Sequence, residues 1–174
     1  MFKAMHQLRT KISKGDRGFT LVELLIVVAI IGILAAIAIP QFAAYRTRSY
    51  NAAATSDMRN VRTVEESLFA DNSSYAPTGV PGTGNLLFTF NAATVATFSV
   101  SKNVYMGVDT LAAAPTSTVV ATTYTITDKN TAGDRTFCGE AEQTAMFWNS
   151  SAIGTILAAN VAATAGNDCT GTAL

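Results

Sequence analysis

The chain has 174 residues, a formal net charge of zero and 49% hydrophobic residues. That length suffices for one long helix and one small globular domain. The balance of 12 basic and 12 acidic residues argues against a generic nucleic-acid binder.

The charge is unevenly placed. Residues 1–18 hold five basic side chains (Lys3, Arg9, Lys11, Lys14, Arg17) against Asp16, while the acids collect further on. Leu21 to Ile39 then runs apolar for nineteen residues, broken only by Glu23. This just reaches the roughly 20 residues that a helix needs to cross a bilayer. A basic head before such a segment keeps the head cytoplasmic and sends the C-terminal part across. A carboxylate at the edge of an apolar span is unfavourable unless it finds a partner. An ordinary secretory signal would be cut near Ala36-Ile37-Ala38. Glu23 inside its apolar core, and the abrupt switch from polar to apolar residues, argue against that. A single-pass anchor that keeps its head is a further alternative.

The helical pattern extends from Phe19 to about Asp71, with Gly32 and Pro40 as interruptions. Pro40 removes a backbone donor and crowds the carbonyl four residues before it. The first half is apolar all round, and the second half is amphipathic. Ala54, Met58, Val61, Val64 and Leu68 recur at three- and four-residue steps and predict a face covered by the rest of the chain. Arg46, Arg48, Arg59, Arg62, Glu65 and Glu66 lie mostly elsewhere and read as a solvated face, or as ion pairs between copies. Asn72 to Asn85 is rich in Pro and Gly and reads as a loop.

Strands are expected at Leu86–Phe90, Ala96–Val100 and Thr118–Thr127, with short ones at Thr136–Cys138 and Ala145–Trp148. In the third, Val120, Tyr124 and Ile126 share one face, and Thr123, Thr125 and Thr127 the other. Lys129–Asp134 reads as a turn. An antiparallel sheet on one long helix, an α+β fold, is the economical solution. Cys138 and Cys169 lie in the part expected to be exported, where disulfides persist, and read as one bridge closing a C-terminal loop. Without a CxxC, and with His6 far away in the head, no metal or cofactor is expected. No Ser/His/Asp set, Walker sequence or HExxH occurs, so no enzyme is expected. Asp109, Asp128 and Asp134 lack the spacing of a calcium loop. Asn72 and Asn149 begin glycosylation sequons, which are frequent by chance.

Gly18-Phe19-Thr20-Leu21-Val22-Glu23, followed by an apolar run, Gly32 and Pro40, resembles the class III signal of type IV prepilins. The resemblance is strong from about Arg17 to Pro40 and looser to about Tyr75. It implies a pilin-like lollipop, IVa-like. Residues 1–18 would be a leader, with Met5 as a second candidate start, removed by prepilin peptidase between Gly18 and Phe19. Phe19 would then be N-methylated. Residues 19–71 would be the long helix, 21–39 its transmembrane part before assembly, 72–85 the connecting loop and 86–174 the sheet-built head. Glu23 of one subunit would pair with the Phe19 amine of another and set register. The segment between Gly32 and Pro40 would loosen in the filament. The partners implied are other pilin subunits, an inner-membrane platform, an assembly ATPase and a secretin. The location would be the inner membrane and then a surface pilus. The uses implied are adhesion, twitching motility, biofilm formation or DNA uptake. A type II secretion pseudopilin or minor pilin shares the same signal and is the alternative. The spacing of Phe19, Phe42, Tyr45, Tyr50, Phe69 and Tyr75 resembles that of pilins for which electron conduction was proposed, although ordinary packing explains the same rings.

Overall fold

The computed structural model describes residues 18–78, 81–90, 93–110, 120–157, 159, 161–163 and 168–174. The head to Arg17, and Thr118 and Val119 of the expected third strand, lie outside them. Among the described residues, one helix, α1 (Leu21–Asn72), is followed by seven strands: β1 (Asn85–Phe90), β2 (Ala93–Ser99), β3 (Val104–Thr110), β4 (Tyr124–Asn130), β5 (Arg135–Glu140), β6 (Met146–Ser150) and β7 (Thr172–Ala173). The chain divides into two compact units, one ending at Ala43 and the other beginning at Ala44, so the boundary falls inside α1.

In the first unit the large apolar side chains from Leu21 to Phe42 are exposed. Their helix has a mean hydropathy of 3.0 over its most apolar window. The backbone stays helical through Gly32 and Pro40.

In the second unit the stripe on α1 does what its spacing demands. Ala54, Met58 and Val61 are fully buried and Leu68 nearly so, against Phe88, Val104, Met106, Val108, Tyr124, Ile126 and Phe137. Val64 is partly buried beside them. β5 turns Gly139 to the helix, where a Cβ would stand 3.2 Å from the Met58 sulfur. The absent side chain lets the thioether lie close on the strand.

The strands form two antiparallel sheets where one was expected. β1 and β2 make a hairpin, and β3-β4-β5-β6-β7 make a five-stranded sheet. β3 and β7 have no counterpart in the sequence reading. β4 begins at Tyr124 and runs through Asp128, Lys129 and Asn130, so the turn shrinks to the residues after Asn130. Asp, Lys and Asn disfavour strands. Here each is aligned with a residue of β3, and Asp128 and Lys129 with residues of β5 as well. Pairing on both sides outweighs their weak propensity. Val120, expected on the same face as Tyr124 and Ile126, lies before β4 and is exposed.

All seven residues of β4 are buried. The helix covers one face, and the C-terminal segment crosses the other. Asp109, Thr125 and Glu140 stand opposite one another on β3, β4 and β5. Each holds that segment. The Asp109 carboxylate accepts from the Ala163 amide at 3.3 Å, and the Thr125 hydroxyl donates to the Val161 carbonyl. Glu140 Oε2 accepts from the Asp168 and Cys169 amides at 2.7 and 3.0 Å. Cys138 and Cys169 are disulfide-bonded, with Cα atoms 5.5 Å apart.

The expected solvated face of α1 is corrected at several positions. Glu65 is fully buried and accepts from the Ala76 amide at 3.1 Å. Arg62 reaches the turn after β5, donating to the carbonyls of Gln143 at 2.8 Å and Thr144 at 3.0 Å. Asp57, also buried, accepts from the Ser101 amide at 2.6 Å and its hydroxyl at 3.0 Å. Helix side chains thus satisfy backbone groups in the loops around the sheet, which would otherwise be left without partners.

Candidate functional site: the N-terminal segment

Gly18 and Phe19 precede α1 and are exposed, Phe19 to 89%. Nothing lies within 4 Å of where a Gly18 side chain would start. Among the described residues, the bond between them is open to solvent on the Gly18 side.

The next residues build a helix start. The Thr20 hydroxyl accepts from the Glu23 amide at 3.1 Å. Glu23 Oε2 accepts in return from the Thr20 amide and hydroxyl, each at 2.8 Å. The Leu24 amide donates to the Thr20 carbonyl at 3.2 Å, closing the first turn. This is a capping box: Thr at the N-cap and Glu three residues on, each satisfying an amide that the helix leaves without a partner. The sequence reading singled out Glu23 and passed over Thr20. The spacing Thr-x-x-Glu before an apolar run was a sufficient signal for both. Glu23 is thereby held within one turn of Phe19. Both bonds to the Glu23 carboxylate run to Oε2, and Glu23 stays exposed.

The family described as the prokaryotic N-terminal methylation motif matches residues 13–39. Over part of its length the chain is similar to type IV pilins. A type IV major pilin protein PilA from Myxococcus xanthus is 45% identical over 67 residues, 38% of this chain and 30% of the relative. A fimbrial protein from Pseudomonas aeruginosa is 46% identical over 68 residues, 39% of this chain and 44% of the relative. A type IV major fimbrial protein FimA from Dichelobacter nodosus is 44% identical over 84 residues, 47% of this chain and 54% of the relative. The chain therefore spans about half or less of the length of these relatives.

The other residues singled out in the sequence scatter over the second unit. Asp109 and Asp134 each hold a partner across the fold, Asp134 accepting from the Asn51 amide group at 2.7 Å. Asp128 is fully buried, and neither of its carboxyl oxygens has a hydrogen-bond partner. Burial, with Asp57 nearby, pushes its pKa well above the carboxylate range. Burial also raises Glu65, to about 8. Both sequon amides are engaged: Asn72 donates to the Leu68 carbonyl at 3.1 Å and Asn149 to the Thr170 carbonyl at 2.8 Å. Of the spaced aromatics, Phe69 stacks on Tyr75 with centroids 4.6 Å apart, and Tyr75 meets Tyr124 edge-on at 4.6 Å. Phe42 and Tyr45 are exposed.

Proposed function

We propose that this chain is the structural subunit of a type IV pilus, made as a precursor and polymerised through its N-terminal helix. The observation that carries this reading is the helix from Leu21 to Phe42, whose large apolar side chains are exposed and whose start is fixed by Thr20 and Glu23. Such a surface is unfavourable in water at about 25 cal/mol per Å². It suits lipid first and neighbouring helices afterwards.

In this reading residues 1–18 are the leader, and prepilin peptidase cuts between Gly18 and Phe19. The new Phe19 amine is methylated and stays positive. Residues 21–39 hold the subunit in the inner membrane until it joins the fibre. Within the fibre, Glu23 meets the Phe19 amine of a neighbouring subunit. Two charges in a low-dielectric core are tolerable only together, so a subunit out of step leaves both unpaired. Thr20 presents the carboxylate for that contact. The stretch between Gly32 and Pro40, already short of one backbone bond at Pro40, loosens on assembly. The inner-membrane platform, assembly ATPase and secretin move the subunit to the cell surface. There the fibre serves adhesion, twitching motility, biofilm formation or DNA uptake.

Mass spectrometry of the sheared extracellular fraction tests this. An abundant peptide beginning at methylated Phe19 is expected. The same peptide confined to the cell envelope would move the chain to the pseudopilins or minor pilins. A mature chain beginning at Ile39, or one retaining residues 1–18, would overturn the reading.

A further inference from the structure

The C-terminal segment is held by two devices of different chemistry that meet at the same residue. One is the covalent bridge from Cys138 to Cys169. The other is Glu140, whose Oε2 accepts hydrogen bonds from the backbone amides of Asp168 and of Cys169 itself. Cys138 and Glu140 are two apart on β5, so they share a face of the strand. Gly139 between them faces Met58 and the helix, which places the cysteine and the carboxylate on the opposite side.

We propose that Glu140 is a positioning residue for the disulfide: its carboxylate docks the reduced C-terminal segment on the sheet and delivers Cys169 to Cys138 before any bond forms. Two observations and one physical rule support this. Glu140 is fully buried, and its second oxygen has no partner, so the two amides are the contacts that compensate its burial. A carboxylate accepting from backbone amides makes bonds about twice as strong as neutral ones. Finally, the docked amide belongs to the reacting cysteine. Once it is fixed, little but side-chain rotation separates the sulfurs. Asp109 and Thr125, opposite Glu140 on β3 and β4, hold Ala163 and Val161 and extend the same track.

The chemistry is thiol–disulfide exchange with a small-molecule disulfide such as oxidised glutathione. The Cys169 thiolate attacks one sulfur of the oxidant and releases one glutathione thiolate. The Cys138 thiolate then attacks the Cys169 sulfur and releases the second. The two protons lost by the cysteines end on the two glutathione thiols, and the cysteine pair is oxidised as the glutathione disulfide is reduced. Docking acts on the second, intramolecular step by raising the effective concentration of one thiol at the other.

Two measurements on the full-length chain in detergent test this. The first is amide hydrogen exchange in Cys138→Ser/Cys169→Ser, which has no bridge. Slow exchange at positions 168 and 169 is expected, lost when Glu140→Ala is added. Exchange at those positions as fast as in an unfolded chain, with Glu140 intact, would overturn the proposal. The second is the rate of ring closure from the glutathione mixed disulfide. In Glu140→Ala it should fall about tenfold or more, the loss of two charge-assisted bonds, with partial rescue in Glu140→Gln, which keeps an acceptor. An unchanged rate in a folded Glu140→Ala chain would equally overturn it. If that variant does not fold, the exchange experiment decides alone.

Discussion

The two units of this chain invert each other's surface chemistry. In the unit ending at Ala43, leucines, isoleucines and valines are outside. In the unit beginning at Ala44, Asp57, Glu65, Asp128, Lys129 and Glu140 are inside. A single helix passes through both. The difference teaches that burial is not a property of a residue type. The first stretch is built for surroundings that a lone chain lacks. The second finds its surroundings within the chain, and uses carboxylates to end the loops around its own sheet.

The sharpest way to break the comparison is at Glu23, the one charged residue among the described residues of the first unit. Glu23→Ala should abolish filaments seen by electron microscopy of the sheared fraction, while the chain stays in membranes and is still cut after Gly18. Normal piliation would remove Glu23 from assembly.

Next in size is the inside of the second unit. Met58→Ala leaves a cavity against Gly139. It should lower stability by about 2–5 kcal/mol, read as a fall in denaturation midpoint. Leu25→Ala in the exposed stretch should leave that midpoint unchanged, since Leu25 is 60% exposed.

Buried acids give the comparison a pH dependence. Below the unfolded carboxyl values, Glu65 and Asp128 are protonated in both states and contribute no slope. As pH rises, the unfolded chain releases these protons while the folded chain retains them, because burial raises both groups. Stability should therefore fall from about pH 4.5 to about 8 for Glu65, and level off above. Asp128 adds a decline of the same sign. Glu65→Gln should flatten the curve, gaining about 1 kcal/mol or more at pH 8 relative to pH 4. Asp128→Asn should flatten it in the same direction. Denaturant titrations across that range provide the check, and parallel curves for wild type and variants would count against the assignment.

The smallest expected effect is at the helix start. Thr20→Ala removes one side of the capping box and should weaken the first turn by about 1 kcal/mol. Faster amide exchange at Glu23 and Leu24, with filaments reduced less than in Glu23→Ala, would mark Thr20 as the residue that presents the carboxylate. Wild-type exchange would leave Glu23 holding the turn by itself.

Much was legible in the sequence because it was local. The apolar run, the Ala54–Leu68 stripe and the Thr20–Glu23 pair are set by spacings within a few residues, and a helix brings such residues together whatever surrounds it. The pairing of two cysteines followed from their number and their place in a segment expected to be exported. What only the tertiary structure decided depends on residues far apart in the chain. β3 and the extension of β4 through Asp128-Lys129-Asn130 exist because neighbouring strands supply partners that propensity does not foresee. Glu65 reads as a surface acid in the sequence, and only the fold gives it the Ala76 amide to accept from. The row of Asp109, Thr125 and Glu140 arises only once three strands are in register, and the C-terminal segment that covers it turns a threonine-rich face inward. Periodicity shows which side of an element is apolar. Register decides which polar groups meet, and so which charges can be buried.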